Sequence, residues 1–117
     1  METAHEMLAD VAKEGRKLRE AIPDVYAAYG ALHKAAVGED GALPAKVKEL
    51  IALAIGVTKQ CDGCIASHAR GAARQGATAQ EIAEMLGVAI LMNGGPGTVW
   101  GARANAAFEE FSGASAG

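Results

Sequence analysis

The sequence predicts an all-α protein of about six helices, and three observations lead to that prediction. Half of the residues are hydrophobic but only 4% are aromatic, so the core must consist of Ala, Leu, Ile, Val and Met, which suits close helix–helix packing. Apolar residues recur with helical spacing between segments marked by proline, glycine and capping residues. No segment has a convincing β-strand pattern. We expect the 117 residues to fold as a single domain over residues 1–117.

Helix-start and helix-end residues divide the chain into segments. Pro23 and Pro44 stand near the starts of the second and third helices, where proline is favoured. Gly76 is typical of the residue that follows a helix, and the spacing of Thr78 and Glu81 matches a capping box that starts the fifth helix. The predicted helices cover about residues 5–21, 23–37, 43–57, 61–76, 78–92 and 98–111.

The charge balance and the apolar runs exclude several partners. Eleven basic against 14 acidic residues give a net charge of −3, and the one basic cluster, in residues 13–19, is interleaved with Glu14 and Glu20. Nucleic acid is therefore not an expected partner. The longest apolar run, residues 50–57, is too short to cross a bilayer, which needs about 20 residues. With no secretory signal at the acidic N-terminus, we expect a cytoplasmic protein without a membrane partner.

The fifth predicted helix is apolar on nearly every side over residues 85–92. Such a helix is either central in the fold or buried against another subunit, and the small size of the domain favours the second interpretation. The following residues, 93–97, are rich in glycine. We interpret them as a plain turn rather than a phosphate-binding loop, because no strand precedes them and no Gly-Lys-Ser/Thr follows.

Both cysteines and one of the three histidines lie close together in the fourth helix. Cys61, Cys64 and His68 have helical i, i+3 and i+7 spacing, which places them on one stripe at the start of that helix. Helix N-termini favour the thiolate form of cysteine. In a cytoplasmic protein two close cysteines are more often catalytic or metal-binding than structural. His68 lies one turn beyond Cys64, where it can act as a general base toward that thiol.

Glu49 is predicted to meet His68 across a helical hairpin. If the third and fourth helices turn back near Lys59, Glu49 lies ten residues before the turn and His68 nine after it, which puts both at nearly the same height. A carboxylate bonded to one imidazole nitrogen leaves the other free to act on a thiol. The alternative partner for Glu49 is a nearby lysine such as Lys46.

These residues suggest peroxide chemistry. The Cys64 thiolate would attack a peroxide oxygen to give a sulfenic acid, Cys61 would condense with it to a disulfide, and an external dithiol would reduce that disulfide. Glu49 and His68 would form the proton relay. Inert packing of the cysteines is the plain alternative. His5 and His33 are interpreted as ordinary surface or packing histidines.

The spacing Glu-x11-Cys-x2-Cys-x3-His resembles the core of the carboxymuconolactone decarboxylase family, and more narrowly its alkylhydroperoxidase D-like branch. The similarity is strongest over about residues 42–96. It implies an all-α fold, assembly as a homotrimer or homohexamer, and catalytic roles for Cys64 (peroxide-reactive), Cys61 (resolving), His68 and Glu49. It also implies hydroperoxide as substrate and an external dithiol reductant, of the lipoyl type in some members. One position departs from the branch, since Gly63 replaces a histidine.

Three other functions remain open. A general dithiol–disulfide oxidoreductase uses the same two cysteines without specificity for peroxide. A lactone decarboxylase or isomerase of the same family would not need them. A zinc-binding module would use Cys61, Cys64 and His68 with Glu49 as a fourth ligand. The absence of a second Cys-x-x-Cys disfavours that last alternative, so we expect no cofactor and no metal.

Overall fold

The computed structural model describes residues 2–113, and these residues form six helices and no β-strand. The predicted all-α class is therefore confirmed. The helices, in chain order, are α1 (Ala4–Ala21), α2 (Pro23–Val37), α3 (Ala45–Lys59), α4 (Asp62–Arg74), α5 (Ala79–Asn93) and α6 (Gly95–Ser112).

The helix boundaries follow local chemistry. Thr78 and Glu81 form the predicted capping box at the start of α5, and the backbone N–H of Thr78 together with the Lys46 ammonium lowers the pKa of Glu81 below its usual range. Gly76 adopts a positive φ of 81° after the end of α4. The interpretation of residues 93–97 as one turn was wrong in its extent. The break is confined to Gly94 (φ 68°), and α6 begins at the next residue because proline fits a first helical turn.

The core lies between α3, α4, α5 and α6. Its largest fully buried side chains are Phe108, Leu53, Ile82 and Val57. Alanines fill much of the remaining core, and Ala69, Ala72 and Ala104 have no exposed surface. Small side chains let helix backbones approach closely, so the few aromatic residues do not prevent a well-packed core.

Helices α1 and α2 pack on the outside of this core, and neither contains a buried residue. The Glu110 carboxylate of α6 fixes the start of α1 by accepting hydrogen bonds from the backbone N–H groups of Ala4 and His5, at 2.9 and 3.0 Å. The His5 ring also pairs with Glu110 and packs on Phe111. Helix α1 then crosses α4, and α2 returns alongside α1 and α3.

One side of α5 contributes to the core and the other is open. Ile82, Leu86 and Ala89 are buried, whereas Leu91 and Met92 are 79% and 77% exposed. The alternative interpretation, in which α5 is central in the fold, therefore does not hold for its outer side, which presents apolar surface. None of the helices between residues 2 and 113 is long and apolar enough to span a membrane.

Candidate active site

The α3–α4 hairpin builds the site. Gln60 ends α3 in the left-handed conformation (φ 54°), and the backbone N–H of Cys61 then donates to the carbonyl of Gly56 at 3.1 Å. Gly56 lies where the two helices approach each other, and a Cβ atom there would be in ordinary van der Waals contact with Cys64 Cβ at 3.5 Å. The chain therefore reverses within a few residues, and the inner faces of α3 and α4 meet.

The two cysteines occupy different positions at the start of α4. Cys61 is the N-cap residue, and its Sγ accepts a hydrogen bond from the backbone N–H of Cys64 at 3.2 Å. The two side chains are joined in a disulfide, with their Cα atoms 5.2 Å apart. The helix N-terminus therefore stabilises negative charge on the Cys61 sulfur in particular. The sequence had suggested this stabilisation for both cysteines.

Glu49 and His68 meet as the hairpin count predicted. The Glu49 carboxylate, only 5% exposed, accepts a hydrogen bond from His68 Nδ1 at 2.8 Å. Since a carboxylate only accepts, Nδ1 carries the hydrogen and Nε2 of the neutral ring is left to exchange a proton elsewhere. Lys46 is not the partner of Glu49, because its ammonium lies 2.9 Å from the Glu81 carboxylate instead.

Gly71 makes the room that the Glu49 carboxylate occupies. A Cβ atom at this position would lie 2.5 Å from both Cδ and Oε2 of Glu49. Any side chain at residue 71 would therefore push the carboxylate away from His68. Sequence reasoning missed Gly71, since a glycine inside a predicted helix gives no indication of which side chain packs against it.

His33 joins the site from α2. Its ring stacks on that of His68, with centroids 5.4 Å apart and planes 14° from parallel. His33, Glu49 and His68 each place one ligand atom within 4.8 Å of the other two. The interpretation of His33 as an ordinary histidine overlooked this contact, because nothing in the spacing along α2 indicates how that helix lies on the hairpin.

Gly63, the departure from the alkylhydroperoxidase pattern, lies under α1. A Cβ atom added to it would be 3.5 Å from Val11 Cγ2. This distance is an ordinary van der Waals contact, and a larger side chain at residue 63 that pointed toward α1 would meet Val11.

Two clefts on the surface lie beside the site rather than over it. The larger, about 610 Å³, is lined by α1, the C-terminal half of α4 and Phe111, and contains Arg70 and Arg74. The smaller, about 410 Å³, reaches Asp62 and Ile65. Neither cysteine and neither member of the Glu49–His68 pair lines these two clefts.

Comparisons with known proteins identify the family. The model of the carboxymuconolactone decarboxylase family matches residues 23–108. The chain belongs to this family. The crystal structure of a carboxymuconolactone decarboxylase family protein from Legionella pneumophila is 41% identical and superposes with a TM-score of 0.87, over 93% of this chain and 96% of that one.

Two further proteins extend the comparison of this family member. An uncharacterised protein from Cupriavidus necator is 41% identical over 102 residues, 87% of this chain and 89% of its own length. A carboxymuconolactone decarboxylase structure from Burkholderia xenovorans, at 22% identity and a TM-score of 0.73 over 97% of each chain, shows the common fold. The family resemblance read from the sequence is therefore confirmed, and the alkylhydroperoxidase D-like branch is consistent with it. The roles of Cys61, Cys64, His68 and Glu49 stay predictions.

The packing of Gly71 against Glu49 predicts that Gly71→Ala breaks the Glu49–His68 hydrogen bond. Alanine normally stabilises a helix relative to glycine by about 1 kcal/mol, but here the methyl group displaces the carboxylate. We expect a lower midpoint in urea unfolding and a changed ¹⁵N NMR signal of the His68 ring. The matched control is Gly87→Ala on α5, where no atom lies within 4 Å of the added Cβ. Equal effects of the two substitutions would contradict the assigned packing.

Proposed function

We propose that this protein is a thiol-dependent peroxidase that reduces hydroperoxides through a Cys61–Cys64 disulfide. The main support for the proposal is the buried Glu49 carboxylate, which is hydrogen-bonded to His68. His68 lies one helical turn beyond Cys64, and Cys64 is joined to Cys61 in a disulfide. A histidine oriented by a carboxylate is a suitable general base for a thiol. The proposal implies a reducing compartment, where the thiols can be regenerated between turnovers.

The oxidative half-reaction uses the two thiols in turn. His68 takes the proton of the Cys64 thiol, and the thiolate attacks the outer oxygen of the hydroperoxide. The O–O bond breaks, the alkoxide recovers the proton as an alcohol, and Cys64 becomes a sulfenic acid. The Cys61 thiolate then attacks the Cys64 sulfur, the S–S bond forms, and hydroxide leaves as water with the proton that Cys61 gave up.

The reductive half-reaction requires an external dithiol, for which a lipoyl-type group is suitable. Its first thiolate attacks Cys61, which lies outside the first turn of α4. The bond between the two protein sulfurs breaks, and the Cys64 thiolate takes a proton from the reductant through His68. The second thiol of the reductant then releases Cys61, so two electrons pass from the dithiol to the protein.

A general dithiol–disulfide oxidoreductase is the second candidate, and one observation favours it. The hydrogen bond from the α4 N-terminus goes to the Cys61 sulfur and not to Cys64. A thiolate at the first cysteine of a Cys-x-x-Cys pair is suited to exchange with disulfides of other molecules. In this function Cys61, rather than Cys64, would be the faster-reacting thiol.

Thiol counting after one equivalent of hydroperoxide tests the proposed peroxidase. We expect the reduced wild-type protein to lose both thiols rapidly, with a mass fall of about two hydrogens. In Cys61→Ser, oxidation should stop at the sulfenic acid of Cys64, and Cys64→Ser should not react rapidly. Alkylation followed by mass spectrometry counts the free thiols of all three proteins. Rapid oxidation of Cys64→Ser would favour the second candidate, and thiols that stay free for hours in wild type would overturn the proposal.

We further propose that the chain assembles as a homotrimer or homohexamer through the open face of α5. Val88, Leu91 and Met92 are 62%, 79% and 77% exposed on this face. Apolar side chains grouped on one helix commonly mark protein–protein contacts. Covering them with a second copy would give the outer side of α5 the apolar surroundings that its sequence suggests.

The proposed assembly predicts that Leu91→Glu dissociates the oligomer, because an unpaired carboxylate would be buried in the contact. Light scattering at micromolar concentration should report a smaller particle than for wild type. Leu91→Met keeps the apolar surface and should leave the particle size unchanged. A wild-type protein that is already monomeric would contradict the assembly.

A further inference from the structure

We propose that His33, Glu49 and His68 form a binding site for a divalent transition-metal ion such as Zn²⁺, and that an ion bound there stops the proton relay. The binding half of this inference is independent of the peroxidase. The inhibitory half rests on the proposed function, because it concerns the same Glu49–His68 pair.

The donor set indicates the class of metal. Two imidazoles and one carboxylate are ligands that zinc and its first-row neighbours accept readily. Calcium and magnesium, in contrast, are held mainly by oxygen ligands in larger number. The three side chains come from α2, α3 and α4, so the cluster is assembled by the fold and not by neighbours on one helix.

The distances require a small rearrangement around the ion, in which Glu49 and His68, 2.8 Å apart, separate slightly and His33 moves closer. The three ligand atoms lie within 4.8 Å of one another, whereas ligand atoms in a tetrahedral zinc site are about 3.4 Å apart. Glu49 is buried and backed by Gly71, and His68 is held by Glu49, so these two are the fixed side of the site. His33 is the most exposed of the three ligands and lies on α2, which has no buried residue. It is therefore the ligand that moves toward the ion.

An ion shared by Glu49 and His68 would bind His68 at Nδ1, because the Glu49 carboxylate lies 2.8 Å from that nitrogen. The ion would replace the proton that His68 shares with Glu49, so metal and proton compete for the same atoms. A neutral imidazole with a metal on Nδ1 carries its hydrogen on Nε2, and Nε2 could then no longer take the proton of the Cys64 thiol.

The site differs from the zinc module considered from the sequence alone. That module needs both cysteines as thiolates, but the two sulfurs are joined in the disulfide. The cluster with His33 does not use them. If the disulfide form binds the metal, the ligands are therefore those of the cluster with His33 and not the two cysteines.

The test is calorimetric titration of Zn²⁺, and optical titration of Co²⁺, into the full-length disulfide form after chelator treatment and removal of any purification tag. We expect about one ion per chain and the visible absorption of four-coordinate Co²⁺. His33→Phe keeps a ring to stack on His68 but has no ligand nitrogen, and should weaken binding about tenfold or more. His5→Phe is the matched control, since His5 lies on α1 against Glu110, and should bind as wild type does.

Each outcome decides the proposal. No binding by the wild-type disulfide form, or equal affinity in His33→Phe, would overturn the metal site. In the reduced protein, Zn²⁺ should slow peroxide consumption more in wild type than in His33→Phe, each relative to its own metal-free rate. Equal slowing would assign the inhibition to the thiols and overturn the inhibitory half. If neither protein consumes peroxide, the proposed function fails while the binding result stands.

Discussion

The hydrogen bond between Glu49 and His68 is the interaction on which the rest of the site depends. A carboxylate with only 5% of its residue exposed is costly to bury without a partner, and removing one partner of a buried pair typically costs about 3–5 kcal/mol. Gly71 makes the pair possible, because it leaves the space that the carboxylate fills. The bond in turn fixes which nitrogen of His68 is available for chemistry.

The same hairpin gives the two cysteines unlike surroundings. The Cys61 sulfur accepts a backbone hydrogen bond at the start of α4, whereas Cys64 lies inside the first turn with His68 one turn beyond. The helix dipole therefore acts mainly on the Cys61 sulfur, and in the proposed peroxidase His68 would be the proton carrier for Cys64. This difference is what a two-thiol cycle needs, because the attacking and the resolving thiol must lose their protons at different steps. The Cys-x-x-Cys spacing alone does not provide it.

Much of this arrangement could be predicted from the sequence because it is local. Helical spacing placed Cys61, Cys64 and His68 on one stripe, and counting residues about the turn brought Glu49 to His68. The role of His33 could not be predicted, since it depends on how α2 lies across α3. The packing of Gly71 and of Gly63 depends likewise on contacts between helices distant in sequence. Local patterns specify the hairpin, and the docking of α2 adds His33 as the second histidine of the site.

In the proposed peroxidase, Glu49 acts through His68 to activate Cys64 and not Cys61. The most direct measurement is the alkylation rate of each thiol in the reduced protein, resolved by mass spectrometry, in wild type and in Glu49→Gln. Gln keeps the shape of the side chain but removes the charge that holds the imidazole. We expect the alkylation rate of Cys64 to fall about tenfold or more and the rate of Cys61 to stay nearly unchanged. Equal loss at both thiols would contradict it and would make Glu49 a structural residue only.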